Sequence, residues 1–251
     1  MNVVMIGTGN VATVLCKLMY HKGHHIKQIV GRDAEKVQQL ASLMQAESCT
    51  NVVEICPDAN IYIIAVADDA VTDVVNTLYL QDKLVVHTAG SLNKHVLQQA
   101  SSNYGVLWPL QTLRKETNHL PEIPFIIDGN SDLVINRLQA FAETLSNKCF
   151  VANDEARIQL HLGAVVVSNF TNHLFALVAE FYQKEQLDFK LLLPLMNETV
   201  SRLANHAPKD VQTGPAARGD FETVQKHIAL LHDYPQLQAF YEAFSNSIVH
   251  K

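Results

Sequence analysis

The chain has 251 residues, of which 48% are hydrophobic and 18% are charged, and its formal net charge is −6. This composition is typical of a globular protein and excludes an intrinsically disordered chain. Nucleic-acid affinity depends on clustered Lys and Arg, so an acidic balance with no basic block also excludes nucleic acid as a partner.

The cysteines and the N-terminal residues indicate where such a protein works. The four cysteines lie without CxxC spacing and are interpreted as reduced thiols, which indicates a cytoplasmic protein. The N-terminus lacks the basic and apolar regions of a signal peptide. The one apolar stretch of membrane-like length, residues 162–179, is interrupted by polar residues such as Ser168 and Asn172. We therefore expect a buried helix there and no membrane partner.

Short apolar runs alternate with helix-like segments in the first part of the chain, which is typical of βαβ units around a parallel sheet. The predicted strands lie near residues 3–6, 26–30, 61–66, 84–88, 105–108, 125–128 and 148–151. The predicted helices between them span residues 10–22, 34–44, 70–78, 93–100 and 132–144. The fold class that follows is α/β, with a doubly wound Rossmann sheet covered by helices on both faces.

Beyond residue 153 the pattern becomes entirely helical. Helices are predicted at residues 154–183, 190–205, 221–232 and 235–249, with Asp154 and Asp220 as the caps of the first and third. The sequence therefore predicts a Rossmann domain at residues 1–152, followed by an all-helical domain at residues 153–251.

A glycine motif connects the first predicted strand to the first predicted helix. It fits G-x-G-x-x-A and comprises Gly7, Thr8, Gly9, Asn10, Val11 and Ala12. The first glycine permits a tight turn, the second lets a pyrophosphate approach the backbone, and Ala12 lets helix and strand pack closely. The helix N-terminus offers free N–H groups to the phosphates. This context predicts a dinucleotide site.

The end of the second predicted strand distinguishes the two nicotinamide dinucleotides. An NAD-binding domain usually places an acid there, but this chain has Gly31 followed by Arg32. A cation suits a 2′-phosphate, so the sequence favours NADP(H) over NAD(H). The alternative is that Arg32 is a solvated charge and Asp33 either serves as the acid or caps the next helix.

Two further turns are expected along the cofactor, because open α/β sheets bind ligands at the carboxyl ends of their strands. One contains Ala65 and Val66 and is followed by Asp69, which either caps a helix or contacts the ligand. The other contains Thr88 and Ser91. Either of these hydroxyls is a candidate to face the nicotinamide, and the alternative for Ser91 is a helix cap.

Polar residues in the helical domain are the candidates for substrate chemistry. At a helical step of about 100°, His161, Ser168 and Asn172 share a narrow arc, with Asn169 further round. Such a stripe either satisfies itself within a helical interface or faces a cleft. Arg218 follows a Gly-Pro turn and either anchors a carboxylate or phosphate of the substrate or forms an ion pair between domains or subunits.

These segments together resemble a known family. The chain is similar to two-domain Rossmann-like proteins with a C-terminal domain of unknown function, relatives of the pyrroline-carboxylate reductase, ketopantoate reductase and 6-phosphogluconate dehydrogenase group. The resemblance rests on residues 7–12, 87–91, 108–111, 160–169 and 213–220, with His227. It implies NADP binding and a helical domain that forms dimers. One departure is Leu160, where the family often has Tyr, so no phenol acid stands there.

The leading hypothesis is an NADP-dependent oxidoreductase that reduces a small C=O or C=N compound between its two domains. His161, Asn169 and Asn172 are the candidates to polarise the reacting group or relay a proton, and Arg218 is the candidate anchor. The alternative is an NADP(H)-binding protein without turnover, either a redox sensor or an assembly partner. We expect a homodimer through the helical domain, and no metal site, because the histidines lack ligand spacing.

Overall fold

A computed structural model describes residues 1–116 and 120–249. The chain divides into two compact units, Met1–Val165 and Val166–Lys251. The boundary expected from the sequence, after residue 152, marks the end of the last predicted strand, and it stays a prediction.

The first unit is built on one eight-stranded sheet, in which the strand order is β3-β2-β1-β4-β5-β6-β7-β8. Neighbouring strands are parallel except for the antiparallel pair β6 and β7. The strands are β1 Asn2–Ile6, β2 His25–Val30, β3 Glu47–Cys49, β4 Ile61–Ile64, β5 Leu84–His87, β6 Asn103–Pro109, β7 Phe125–Gly129 and β8 Cys149–Val151.

Helices cover both faces of this sheet, which confirms the predicted doubly wound Rossmann class. The helices are α1 Asn10–His21, α2 Ala34–Met44, α3 Val71–Val75 and α4 Asp132–Leu145. Alternate residues of each central strand point to opposite faces, so Val3 and Met5 pack in one core while Val4 and Ile6 pack in the other. The first core is covered by α1, α2 and α4, and the second by α3 and the 3₁₀ helix Lys94–Leu97.

Three local predictions for this unit were wrong. The short strand β3 was missed, because its sequence Glu-Ser-Cys carries no apolar run. Residues 93–100, predicted as an α-helix, form only a 3₁₀ turn at Lys94–Leu97. The helix predicted at residues 70–78 is shorter, since α3 ends at Val75.

One long helical run begins in the first unit and ends in the second. It consists of α5 Asp154–Ala164, a π-helical segment Val165–Phe170 and α6 Thr171–Lys184. Its cap is Asn153, whose side chain accepts from the N–H of Ala156 at 2.9 Å, so the predicted cap Asp154 is instead the first helical residue.

The second unit is helical throughout its described part. It contains α6, α7 Leu193–Ser201, α8 Pro215–Arg218, α9 Phe221–Leu230 and α10 Pro235–Val249. The predicted helix at residues 190–205 is split, because 3₁₀ turns at Phe189–Leu192 and Arg202–Ala204 flank α7. The predicted cap Asp220 is confirmed, since its carboxylate accepts from the N–H of Thr223 at 3.1 Å.

The helical unit leaves much apolar surface exposed in the single chain. Among its described hydrophobic residues only Val224 and Leu231 are buried. Within the described residues, the run Asp154–Lys184 is long and apolar enough to cross a membrane by length and composition alone, and 6% of its most apolar window is buried. The burial predicted for residues 162–179 is therefore wrong for the single chain.

Candidate functional site

The glycine motif lies where the strand order of the sheet reverses, between β1 and β4. The N–H of Gly7 donates to the carbonyl of Val30 in β2, and the N–H of Ala65 donates to the carbonyl of Ile6, both at 2.8 Å. Gly7 has φ +127°, and a Cβ added there would lie 2.2 Å from the carbonyl oxygen of Ala65. A side chain is therefore excluded at residue 7 by both backbone conformation and space.

The N-terminus of α1 is open and carries no negative side chain. Gly9 is its cap residue, no side chain caps the helix, and its first turn contains no acid. A Cβ added at Gly9 would meet nothing within 4 Å, so free space lies in front of the first N–H groups. This combination of exposed donors and the positive end of the helix dipole suits an anion such as a pyrophosphate.

The other motif residues have graded burial along the start of α1. Thr8 and Val11 are half-buried, Asn10 is exposed, and Ala12 is fully buried in the sheet core, as close helix–strand packing requires. The Asn10 side-chain oxygen accepts from the N–H of Lys115 at 3.3 Å, which ties the loop after β6 to the first turn of the helix.

At the end of β2, the structure is crowded where an NAD site usually places its acid. A Cβ at Gly31 would lie 2.9 Å from Cγ2 of Val37 and 3.3 Å from Cγ2 of Thr8 in the glycine loop. Arg32 is exposed next to it. Asp33 caps α2 by accepting from the N–H of Lys36 at 3.1 Å and pairs with its ammonium group at 2.7 Å. The hydrogen bonds and charge of Lys36 hold the pKa of Asp33 below its ordinary value.

The turns after β4 and β5 meet beside the glycine loop. Ala65 is buried and Val66 half-buried. The N–H of Thr88 donates to the carbonyl of Ile64 at 3.2 Å, and the buried Thr88 hydroxyl lies 3.5 Å from the same oxygen. The exposed Ser91 hydroxyl donates to the Asp68 carboxylate at 2.6 Å, which links the two turns.

Neither helix-cap alternative in these turns is present. The cap of the turn that follows Ser91 is Asn93, whose side chain accepts from the N–H of His95 at 2.8 Å. No side chain caps α3, so Asp69 does not fill that role.

Trp108 connects the β5 turn to α5 within the first unit. A Cβ at Gly90 would lie 2.7 Å from Cε2 of Trp108, so the indole covers that glycine directly. The His161 ring meets Trp108 edge to face, with ring centroids 5.7 Å apart and an interplanar angle of 84°. The structure therefore brings His161 to the β5 turn through Trp108.

Sequence reasoning missed His87, which lies fully buried at the end of β5. Its Nδ1 accepts from the N–H of Ala89 at 3.2 Å, so the neutral ring carries its proton on Nε2, which has no hydrogen-bond partner in the described part of the chain. Burial, and then the positive charge of Arg157, lowers the pKa of His87 to about 4. A neutral imidazole therefore holds the shape of the turn that follows.

Sequence reasoning also missed a charge cluster, which comprises the buried Asp128 and Arg157 and the half-buried Lys94 and Asp154. The Lys94 ammonium group lies 2.8 Å from Asp128 and 3.3 Å from Asp154. The Arg157 guanidinium donates to the Asp154 carboxylate and lies 3.7 Å from Asp128. These residues are up to 63 positions apart in the sequence, and only the pair Asp154 and Arg157, three residues apart on one helix, is local.

The remaining predicted site residues belong to the second unit. Asn169 and Asn172 are exposed, whereas Ser168 is half-buried. Because the π-helical segment holds more residues per turn, the α-helical step assumed for the polar stripe does not apply across it. Arg218 is exposed at the C-terminal end of α8. Catalytic roles for Asn169, Asn172 and Arg218 stay predictions.

Family models match both parts of the chain. Residues 2–90 match the model described as "NADP oxidoreductase coenzyme F420-dependent", and residues 123–248 match the model described as "Domain of unknown function (DUF2520)". A protein from Bacteroides fragilis, provisionally named an NADP oxidoreductase, is 39% identical over 100% of this chain and 98% of its own, with a TM-score of 0.92. The chain belongs to this two-domain NADP oxidoreductase family. The predicted relationship is thereby confirmed.

More distant solved structures share the fold of this NADP oxidoreductase family. An imine reductase from Myxococcus stipitatus in complex with NADP⁺ is 15% identical, with a TM-score of 0.69 over 99% of this chain and 93% of its own. A 1-pyrroline-5-carboxylate reductase from Streptococcus pyogenes is 14% identical, with a TM-score of 0.68 over 100% and 99%. No curated protein matches the chain at a significant level.

Proposed function

We propose that this protein binds NADP(H) and uses it to reduce a small C=O or C=N compound. The observation that carries the proposal is the open N-terminus of α1, where Gly9 leaves free space in front of uncapped N–H groups. The family to which the chain belongs supports the same conclusion.

The choice of NADP(H) over NAD(H) rests on the end of β2. Packing against Thr8 and Val37 disfavours a side chain at Gly31, and Asp33 is engaged as a helix cap. Arg32 is left as the charged group available to a 2′-phosphate, which it would bind by forked hydrogen bonds.

The bound nicotinamide would supply hydride, and the protein would position it and handle the proton. The ends of β4 and β5, with Ala65, Val66, Thr88 and Ser91, would line the dinucleotide. His161, held against Trp108 beside Gly90, is the proposed proton donor to the oxygen or nitrogen of the reduced C=O or C=N bond. The names of the imine and pyrroline-carboxylate reductases favour a C=N substrate. The location of the substrate between the two domains, and the role of Arg218 as its anchor, stay predictions.

Thermal melts with NADPH, NADH and buffer test cofactor binding. Ligand at about 100 times its dissociation constant stabilises a protein by roughly 2.7 kcal/mol, which gives a clear shift in melting temperature. We expect a larger shift with NADPH than with NADH. Gly9→Asp should abolish both shifts, because its carboxylate would repel the pyrophosphate without clashing in the free protein.

Ser131→Asp is the matched control, because it also places an acid at a helix cap, that of α4, away from the proposed site. It should keep the NADPH shift. A Gly9→Asp variant that still responds to NADPH would refute the proposed site. If NADPH binds but no carbonyl or imine in a broad panel is reduced, the protein binds the cofactor without turnover.

We also propose that the protein is a cytoplasmic homodimer assembled through its helical domain. Large exposed apolar side chains in that domain support this proposal, because monomeric soluble proteins rarely leave extended apolar patches uncovered. Among them are Val167, 73% exposed, and Val200, 69% exposed. The four cysteines are free, in keeping with a reducing compartment.

A further inference from the structure

Helix α5 is attached to the sheet in an unusual way. All of its residues are described, and Arg157 is the one that is buried, at 1% exposure. Its large apolar residues face outward in the single chain, with Ile158 54% exposed and Leu162 65% exposed. A buried guanidinium thus takes the place that an apolar stripe normally fills at a helix–sheet contact.

The guanidinium connects three segments of the first unit. It donates to the carbonyl of Leu92, just beyond the β5 turn, and to the carboxylate of Asp154 in its own helix. It also lies 3.7 Å from the carboxylate of Asp128 in β7. Asp128 is itself fixed, since it accepts from the N–H of Gly129 at 2.8 Å.

Lys94 completes a balanced set of two cations and two carboxylates. Burial alone lowers the pKa of Lys94, but the hydrogen bond and charge of Asp128, followed by those of Asp154, raise it above its ordinary value. Burial likewise raises the pKa of Asp154, but the hydrogen bonds from Arg157 and from the Lys94 N–H outweigh it, so that pKa falls below its ordinary value. Lys94 and Asp154 therefore keep their charges at neutral pH.

Stability is a poor explanation for this arrangement. Nε and Nη1 of Arg157 have no hydrogen-bond partner in the described part of the chain, and buried donors without partners cost free energy. Buried ion pairs are often no better than apolar packing. A planar guanidinium makes hydrogen bonds in fixed directions, and an apolar side chain does not.

We propose that Arg157 is a positioning residue that sets the rotation of α5 about its axis, so that the His161 ring is held edge-on to Trp108 beside Gly90. His161 lies four residues after Arg157 and therefore projects from the same helix face. Since Arg157 also holds the carbonyl of Leu92, one side chain fixes both the helix that carries His161 and the end of the β5 turn. The consequence for catalysis rests on the proposed function, whereas the geometry does not.

Trp108 provides a direct measure of this geometry, because it is the only tryptophan in the chain. The full chain therefore gives a single indole N–H peak in a proton–nitrogen NMR spectrum. A ring packed edge to face on the indole shifts this peak, because its π-electrons change the local magnetic field. His161→Gln removes the ring, so it should move the Trp108 peak and mark the position expected when the contact is lost.

Arg157→Met keeps the length of the side chain but removes its charge and donors, so we expect the Trp108 peak to move toward its position in His161→Gln while the circular dichroism spectrum is unchanged. Arg157→Lys keeps the charge without the planar fork and should leave the peak between that position and the wild-type one. Arg137→Met, on α4 of the same unit, is the matched control and should keep the wild-type peak position. A folded Arg157→Met variant with the peak at its wild-type position would overturn the proposal.

If Arg157→Met does not fold, the same measurement is made on Asp154→Asn, which weakens the ion pair and leaves Arg157 in place. A Trp108 peak at its wild-type position in both Asp154→Asn and Arg157→Lys would overturn the proposal, and a shift toward the His161→Gln position in both would support it. Once a substrate is known, Arg157→Lys should lose up to about 100-fold in kcat, the effect of a misplaced group, with a smaller change in the KM for NADPH.

Discussion

Arg32 stands directly after the glycine that replaces an acid at the end of β2, and it is exposed. If it binds the 2′-phosphate, the charge-assisted hydrogen bonds contribute about 1.5–3 kcal/mol, or roughly 10- to 100-fold in Kd. We expect Arg32→Asp to lose that factor for NADPH and to bind NADH at least as well as the wild type, as measured by nucleotide titration.

Arg32→Gln separates lost attraction from added repulsion, because it removes the cation without introducing a carboxylate. It should weaken NADPH binding and leave NADH binding unchanged. An Arg32→Asp protein that still preferred NADPH would show that another group recognises the 2′-phosphate.

The residues of the proposed dinucleotide site were predictable from the sequence because their constraints are local. Gly7 and Gly9 stand at a strand–helix junction that a short motif identifies. Two partners of Arg157 are distant in the sequence: Leu92 is 65 residues away, and Asp128 belongs to strand β7. A single arginine in a helical pattern is ordinarily a solvated residue, so nothing in the sequence distinguishes this one.

Strand β5 ends at His87, a titratable residue that the fold keeps neutral. The free energy of unfolding of the protein therefore depends on pH. The pKa of His87 is lowered from 6.5 to about 4 in the folded chain, so between these values the unfolded chain binds more protons than the folded chain. The contribution of His87 to the free energy of unfolding is thus complete above pH 6.5 and is lost as the pH falls toward 4.

His87→Asn should make this pH dependence shallower, since the amide oxygen can accept from the N–H of Ala89 without titrating. Urea unfolding at a series of pH values measures the effect. A residual slope is expected from His24, whose pKa is lowered by burial and by the charge of the N-terminal amino group. His25→Asn, at an exposed position in β2, should keep the wild-type slope. An unchanged slope in His87→Asn would contradict the argument.

At the scale of elements, the sequence predicted most strongly those with clear periodicity. The helix at Pro235–Val249 has the predicted bounds, and seven of the eight strands were expected. The errors fall where local pattern carries little information. The π-helical segment Val165–Phe170 is one example, because its apolar residues fit an α-helix equally well.

At the scale of the whole molecule, the described part of the helical unit has only two buried apolar residues, Val224 and Leu231, which favours the proposed dimer. We expect a dimer by light scattering at micromolar concentration. Val167→Glu, at a residue that is 73% exposed, should shift the mass toward the monomer, because a carboxylate would be buried without a partner.

Leu43→Glu is the control, since Leu43 is 62% exposed on α2 in the first unit, and it should remain dimeric. A wild-type monomer would refute the dimer proposal. Binding of the wild-type chain to lipid vesicles would instead identify a bilayer as the cover for the apolar helices.

The strands at both edges of the sheet are short. The outermost strands, Glu47–Cys49 and Cys149–Val151, have three residues each. A strand from a neighbouring molecule would find only a few unpaired amide and carbonyl groups at either margin, so open-ended stacking of sheets into fibrils gains little. The Rossmann half is thereby protected from the uncontrolled self-association to which exposed β-structure is prone.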